Sequence, residues 1–246
     1  YRHKHMRRKI LIHRLPQLTA LEEQSYFGGR VLVLRRGKFR GKFYKLDVNS
    51  MYPYVMREGL YPYRYVDYVE DEAGNIKLTE DMAGRCIADV ELRAKLPFYP
   101  VRVGERVVYD QGSFCTVLAG PELRDALRRG YVARVYRLGI YDVAEIFKSY
   151  VEELYSYRLV AKWGGDKFND LFYKLLLNSL YGKFAQKNPK WVEDVNLEVE
   201  INSYAWVKRD GNLIMARNIG GRKEYLAGKE PVWHYMPAIA SFVTSY

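Results

Sequence analysis

From Ala144 onward the apolar residues stop alternating and begin to recur every three or four positions. Phe147, Tyr150, Val151, Leu154 and Ala161 make one stripe that stops at Gly164-Gly165, and a second periodic segment starts near Asp166 and runs to about Phe184. A helical period broken by a Gly-Gly pair and then resumed is an αα-hairpin, so two helices of this chain lie side by side. The flanks keep a period of two. CIADVEL and RVVYD read as strands, and residues 60 to 141 as mixed strands and loops, with PELRDALRRG a short helix closed by Gly130. Residues 191 to 230 alternate around the turn KRDGN. The fold class expected is α+β, an antiparallel sheet backed by helices.

Residues 1 to 25 are a basic lead-in, a helix or a connector. YFGGRVLVLRRGKFRGKFYKLDV then reads as a glycine turn followed by a β-hairpin across RRGKFRG. In KFYKLD the alternation places Phe43, Lys45 and Asp47 on one face and Tyr44 and Leu46 on the other, so Asp47 is expected at a strand's end. Ser50 is expected to cap the next helix, with Pro53 in its first turn.

Forty Lys and Arg against 29 Asp and Glu give a net charge of +11, which suits a polyanionic partner better than a small neutral substrate, although solubility alone accounts for such an excess too. Twenty-three tyrosines add rings that stack on bases or sugars when they are not core. Cys86 and Cys115 are too few for a disulfide framework and have no zinc-ligand spacing, which points to a reducing, cytoplasm-like compartment. No apolar run reaches the length of a membrane span, and no membrane partner is expected. The sequence opens without an initiator Met and ends inside the apolar PAIASFVTSY, so it reads as a fragment.

On the second helix of the hairpin, steps of about 100° per residue put Phe168, Phe172, Leu175, Leu176 and Leu180 on one face and Lys174, Asn178 and Tyr181 on the other. The first set is expected to face the core and the second to carry chemistry, although polar residues opposite an apolar stripe also describe any surface helix. Gly182 beside Tyr181 lets a flat partner approach the backbone. Arg158 and Lys162, four apart on the first helix, are a solvated edge taken alone. With Lys174 across the Gly-Gly turn they form three cations able to grip a triphosphate. Asp47 caps a helix in its plain reading. With the carbonyl of Val48 it offers hard oxygen ligands of the kind Mg²⁺ takes, and Tyr52, one turn further, can lie beneath a sugar and exclude a 2′-hydroxyl.

These residues carry a resemblance. DVNSMYP, residues 47 to 53, resembles the first polymerase motif of family B DNA polymerases. KLLLNSLYG, residues 174 to 182, resembles the second, whose pattern is Lys, three residues, Asn-Ser, one residue, Tyr-Gly. With Tyr26-Phe27-Gly28-Gly29 upstream, the wording is most similar to the protein-primed branch found in bacteriophages, archaeal viruses and linear plasmids. The similarity extends with gaps from Tyr26 to the last residue.

The resemblance implies a palm in residues 26 to 143 with an insertion, helical-hairpin fingers in residues 144 to 187, and a second insertion with return to the palm in residues 188 to 246. Residues 1 to 25 stay a connector. It implies template-directed addition of deoxynucleoside triphosphates (dNTPs) to a primer 3′-hydroxyl by two-metal phosphoryl transfer. The partners implied are two Mg²⁺ ions, primer-template DNA, dNTPs and a terminal priming protein. Asp47 would be catalytic and, with Val48, hold metal, and Lys174 would act on the phosphates. Asn49, Ser50, Met51, Tyr52, Arg158, Lys174, Asn178 and Tyr181 would bind the nucleotide. Tyr26, Gly28, Gly29, Ser179, Gly182 and Lys183 would contact DNA.

The family's third motif, Tyr, one residue, then Asp-Thr-Asp, is absent from these residues, as is an exonuclease carboxylate set before residue 26. Glu70-Asp71-Glu72 is the dense acid cluster that remains, in what reads as an exposed loop. A second reading is a catalytically inactive remnant that binds nucleotide or nucleic acid, and a third is an unrelated basic RNA-binding protein.

Overall fold

The computed structural model describes His5, residues 8–31, Val33 and residues 35–246. Parts of the basic lead-in and the Leu32 and Leu34 positions of the expected hairpin lie outside the described residues. The chain divides into two compact units, one of residues 1–185 with 236–246 and one of residues 186–235.

The larger unit contains a four-stranded antiparallel sheet, in the order β1 (Tyr61–Glu70), β6 (Val132–Ala144), β2 (Cys86–Ala94), β5 (Gly112–Ala119). A separate hairpin is made of β3 (Pro100–Val103) and β4 (Arg106–Tyr109). The helices are α1 (Pro16–Ser25), α2 (Met51–Glu58), α3 (Glu80–Ala83), α4 (Gly120–Arg128), α5 (Lys148–Trp163), α6 (Lys167–Lys183) and α7 (Pro237–Thr244).

Alternation along β2 explains the two cores. Ile87 points into a cluster with Leu18, Leu21, Tyr141, Phe147 and Phe242. Cys86, Ala88, Val90 and Leu92 point to the opposite face, against Leu118, Leu123 and Ala126. The apolar PAIASFV stretch is buried at every residue of the α7 run from Pro237 to Val243. It comes close because Gly120 has no side chain: a Cβ there would stand 2.5 Å from a Phe242 ring carbon. Buried Glu22 is satisfied by His13 Nε2 at 2.8 Å and by the Tyr141 hydroxyl, which donates to it at 2.8 Å.

The smaller unit is a second antiparallel sheet, in the order β7 (Lys187–Glu193), β10 (Arg222–Pro231), β9 (Asn212–Ile219), β8 (Ser203–Arg209), with a small core of Leu197, Val199 and Ala216. The Asp210-Gly211 turn joins β8 to β9, where the sequence put it.

The expected α+β class with antiparallel sheets is borne out, and four local expectations are corrected. No strand forms among the described residues of 30–46: nothing pairs with that segment, and strand backbone without a ladder partner prefers water. Asp47 therefore follows an irregular stretch and does not end a strand. Ser50 precedes α2 in the left-handed region, φ 53°, ψ 42°, and its hydroxyl caps nothing. Third, the helical stripe begins later than expected, since Ala144 ends β6 and α5 starts at Lys148.

The fourth correction concerns the phase of α6. Phe168 is 77% exposed and Leu175 59%, whereas Leu177 is fully buried. The core contact runs through Tyr173, Leu176, Leu177, Leu180 and Tyr181, so the helix is turned roughly 100° from the expected face.

Candidate functional site

Asp47, Val48, Asn49, Ser50 and Met51 form one wall of a cleft of about 250 Å³. The other wall comes from the helical hairpin: Tyr155, Arg158, Leu159 and Lys162 of α5, Lys174 and Asn178 of α6. The hairpin puts these side by side because Gly165 takes φ +75° at the turn and Asp166 caps α6, its carboxylate accepting from Asn169 N at 3.0 Å. Those hydrogen bonds hold the Asp166 carboxyl below the usual range.

Arg158 is fixed from two sides. Its Nε donates to Asp170 Oδ1 at 2.8 Å and its Nη1 to Ser50 Oγ at 2.9 Å. A non-glycine residue at positive φ costs about 1–2 kcal/mol, and this contact is what holds the Ser50 hydroxyl toward the cleft. The lining thus contains three cations and one carboxylate, the charge pattern that receives a polyphosphate.

Tyr52 does not line this cleft. Its ring packs on Tyr181 with centroids 4.8 Å apart, at 33°. Burial pushes the Tyr181 hydroxyl up to about 12, with Tyr52 and then Tyr26 adding to the shift. Tyr26 is raised by burial and by Tyr52 in the same way, so the three tyrosines adjoin. Gly29 closes the group, since a Cβ there would stand 2.5 Å from the Tyr52 oxygen. Gly28 makes the turn with φ +77°.

The remaining DNA-contact candidates stay apart from the cleft. Ser179 donates to Leu176 O at 3.4 Å, Gly182 has open space where a Cβ would be, and Lys183 is exposed on the last turn of α6. Asp71 is a turn former: its carboxylate accepts from Ala73 N at 3.0 Å and Asn75 N at 2.9 Å, which holds it below the usual range.

Two residues escaped sequence reading. Asp170 sits four before Lys174 and eight before Asn178, a spacing that could have placed it on the cleft side. Arg102 of β3 donates to the Tyr26 carbonyl at 2.6 Å and stacks 4.8 Å from the Phe27 ring centroid, fixing the glycine turn. No local signal marks it.

For a divalent ion, Asp47 and the Val48 carbonyl are hard oxygens of the right kind. Among the described residues no group of three His, Cys, Asp or Glu is arranged to hold a metal. The residues present fit one carboxylate arm of such a site.

An antiparallel sheet backed by helices, with a helical hairpin that brings three cations opposite an acid, is an α+β arrangement of palm-and-fingers type. Comparison with known proteins agrees. Residues 22–202 match the sequence profile of the family described as DNA polymerase type B, organellar and viral, and the chain belongs to that family. It is 32% identical over 167 residues to the DNA-directed DNA polymerase of Enterobacteria phage PRD1, covering 67% of this chain and 28% of that relative. It is 28% identical over 180 residues to the DNA polymerase of Acidianus bottle-shaped virus, covering 67% of this chain and 27% of the relative. A probable DNA polymerase of Neurospora intermedia is 28% identical over 182 residues, covering 69% of this chain and 18% of that one.

The chain thus spans less than a third of the length of these relatives. Among solved structures, the orthorhombic crystal form of Phi29 DNA polymerase superposes with a TM-score of 0.61 at 18% identity, covering 96% of this chain and 40% of that one. Its ternary complex with primer-template DNA and incoming nucleotide gives 0.59 at 20% identity, covering 96% and 40%. At such identity the likeness concerns the fold. The resemblance to family B polymerases drawn from the two motifs is borne out.

Proposed function

We propose that this chain is the palm and fingers of a DNA polymerase that adds dNTPs to a primer 3′-hydroxyl opposite a template. The palm takes in residues 26 to 143 and the fingers residues 144 to 187. The observation that carries the reading is the meeting of Asp47 with Arg158, Lys162 and Lys174 in one cleft, from segments more than a hundred residues apart.

In this reading Arg158, held by Asp170 and Ser50, presents its remaining Nη2 donors, and Lys162 and Lys174 their point charges, to the triphosphate. Asn178 and Tyr181 border the nascent base pair, and Tyr52 lies beneath the sugar. Asp47 and the Val48 carbonyl hold Mg²⁺, whose contribution in such sites is to neutralise the phosphates and acidify the attacking hydroxyl. Primer-template DNA is the macromolecular partner, which the Phi29 ternary complex supports as an analogy of fold. The family match supports the organellar or viral setting, in which a terminal priming protein would be a further partner.

The test is binding of a dNTP to this chain with Mg²⁺, followed by fluorescence quenching. Binding should weaken at least tenfold in Lys174→Ala. Primer extension by the protein that carries the chain should be abolished in Asp47→Ala. Unimpaired extension in that variant would sink the proposal.

One observation favours a second reading for the chain taken alone. Asp47 is the single acid among the residues lining the cleft. Transfer between two ions about 3.5–4 Å apart needs more than one bridging carboxylate, so these residues by themselves would bind nucleotide without turning it over.

A further inference from the structure

Between the glycine turn at Gly28 and the cleft at Asp47 lies a segment that none of these roles uses. Residues 36–43 read Arg-Gly-Lys-Phe twice in succession. The repeat extends to the backbone at its glycines: Gly37 and Gly41 take φ of +140° and +135°. Only glycine adopts that region without strain, so the two glycine positions share one backbone conformation.

Six cations and no acid stand from Arg35 to Lys45, over half the net charge of +11. All six are exposed, and none takes part in an ion pair among the described residues. The rings between them are also open. Phe39 is 42% exposed and Phe43 70%, and the Arg35 guanidinium lies 4.8 Å from the Phe39 centroid. Like charges spread along an unpaired segment repel one another, and no carboxylate of the described protein answers them. Their complement is an extended polyanion. Rings at every fourth residue narrow the choice, because an unpaired base offers a face to stack on and a duplex backbone does not.

We propose that the tandem Arg-Gly-Lys-Phe segment is a binding arm for single-stranded nucleic acid. Arg36, Lys38, Arg40 and Lys42 sit on phosphates, and Phe39 and Phe43 stack on bases. The arm rests on the polymerase reading and deepens it: it takes the unpaired template between the Tyr26 turn and the cleft.

Two combined variants test this in the chain, the first changing Arg36, Lys38, Arg40 and Lys42 to Gln, the second changing Phe39 and Phe43 to Ser. Anisotropy of a labelled twenty-nucleotide oligo-dT and of a duplex of equal length is followed across a salt series. Binding of a dNTP in the cleft is measured alongside, as is sedimentation with phosphatidylserine–phosphatidylcholine vesicles.

The Gln variant should lower the salt slope for oligo-dT by about 3, at roughly 0.7 per phosphate contact on a single strand. The Ser variant should lose at least about thirtyfold in affinity for oligo-dT and little for duplex. Cleft binding of the dNTP should be unchanged in both. Parental oligo-dT binding in both variants, with dNTP binding intact, overturns the arm and leaves the polymerase reading standing. Equal losses for duplex and single strand overturn the stacking role. Vesicle binding lost in the Gln variant while oligo-dT binding persists overturns the proposal in favour of a membrane surface. A parent chain that binds neither oligo-dT nor dNTP overturns both readings.

Discussion

The Arg158 guanidinium donates to the Ser50 hydroxyl at 2.9 Å, and that hydroxyl belongs to a residue held at φ 53°. Helix α5 and the loop before α2 are thereby tied at a strained point. Ser50→Ala keeps the strain and loses the bond, so it should cost about 1–2 kcal/mol in denaturant unfolding. Ser50→Gly loses the bond and relieves the strain, and should stay within about 0.5 kcal/mol of the parent. Both should weaken nucleotide binding alike if the hydroxyl orients Arg158. Equal unfolding costs for the two would remove the strain from the account.

Asp47 and its isolation among cations give a second expectation. In the 246-residue chain, Mg²⁺ should strengthen dNTP binding, and Asp47→Asn should abolish that gain while leaving metal-free binding near its parental level. Primer extension by the chain alone should be absent. Titration with and without chelator, beside an extension assay, checks both. Robust extension lost in Asp47→Asn would show that another carboxylate completes the site.

The hairpin and its cations were legible because the signal is local. The helical period, Gly164-Gly165, the four-residue step from Arg158 to Lys162 and the one from Lys174 to Asn178 each follow from helix geometry. The rotation of α6 was not legible, since two apolar faces compete on that helix and the choice depends on what packs against it. Here Leu177 wins and Phe168 remains exposed. Alternation in residues 30–46 resembled a strand, but a strand exists only with a partner. Arg102 and Asp170 act on residues far from them in sequence or across a turn, and Ser50 at positive φ has no composition signal at all.

Glu122 yields a prediction about pH. It shares a small cavity with Arg30 and Tyr109, and burial pushes its carboxyl up to about 8, with Arg30 opposing the rise and Asp125 adding to it. Below the ordinary value of 4.5 both folded and unfolded chains hold the proton, and the group contributes nothing to pH dependence. Between 4.5 and about 8 the unfolded chain releases its proton while the folded one keeps it, so stability falls as pH rises through that window. Glu122→Gln removes the penalty. Its melting temperature should match the parent near pH 4.5 and exceed it increasingly toward pH 8. A variant less stable than the parent at pH 8 would mean that Glu122 is ionised there and paired with Arg30.

Tyr52 and Tyr181 touch, yet the polymerase reading gives them different tasks. The Tyr52 ring comes from α2 and is backed by Gly29, whose missing side chain leaves room for its hydroxyl. If that ring fills the space beneath the incoming sugar, a 2′-hydroxyl enters only by displacing it, and discrimination is steric. Tyr52→Val in the active polymerase should then raise the ratio of ribonucleotide to deoxynucleotide efficiency by at least about fivefold, since excluding one hydroxyl by overlap is worth about 1 kcal/mol or more. Deoxynucleotide use should fall much less. Tyr181 lies on the fingers side, with its hydroxyl raised by burial and bonded to Tyr52. Tyr181→Phe should alter dNTP affinity and base selection, because the ring stays while the bond that fixes its angle against Tyr52 is gone. The sugar ratio should not move with it. Steady-state efficiencies for matched, mismatched and ribo substrates in the two variants separate these outcomes. A Tyr52→Val enzyme with parental sugar selectivity would mean that the ring packs against Tyr181 for stability alone, and that the sugar is judged by the residues that line the cleft.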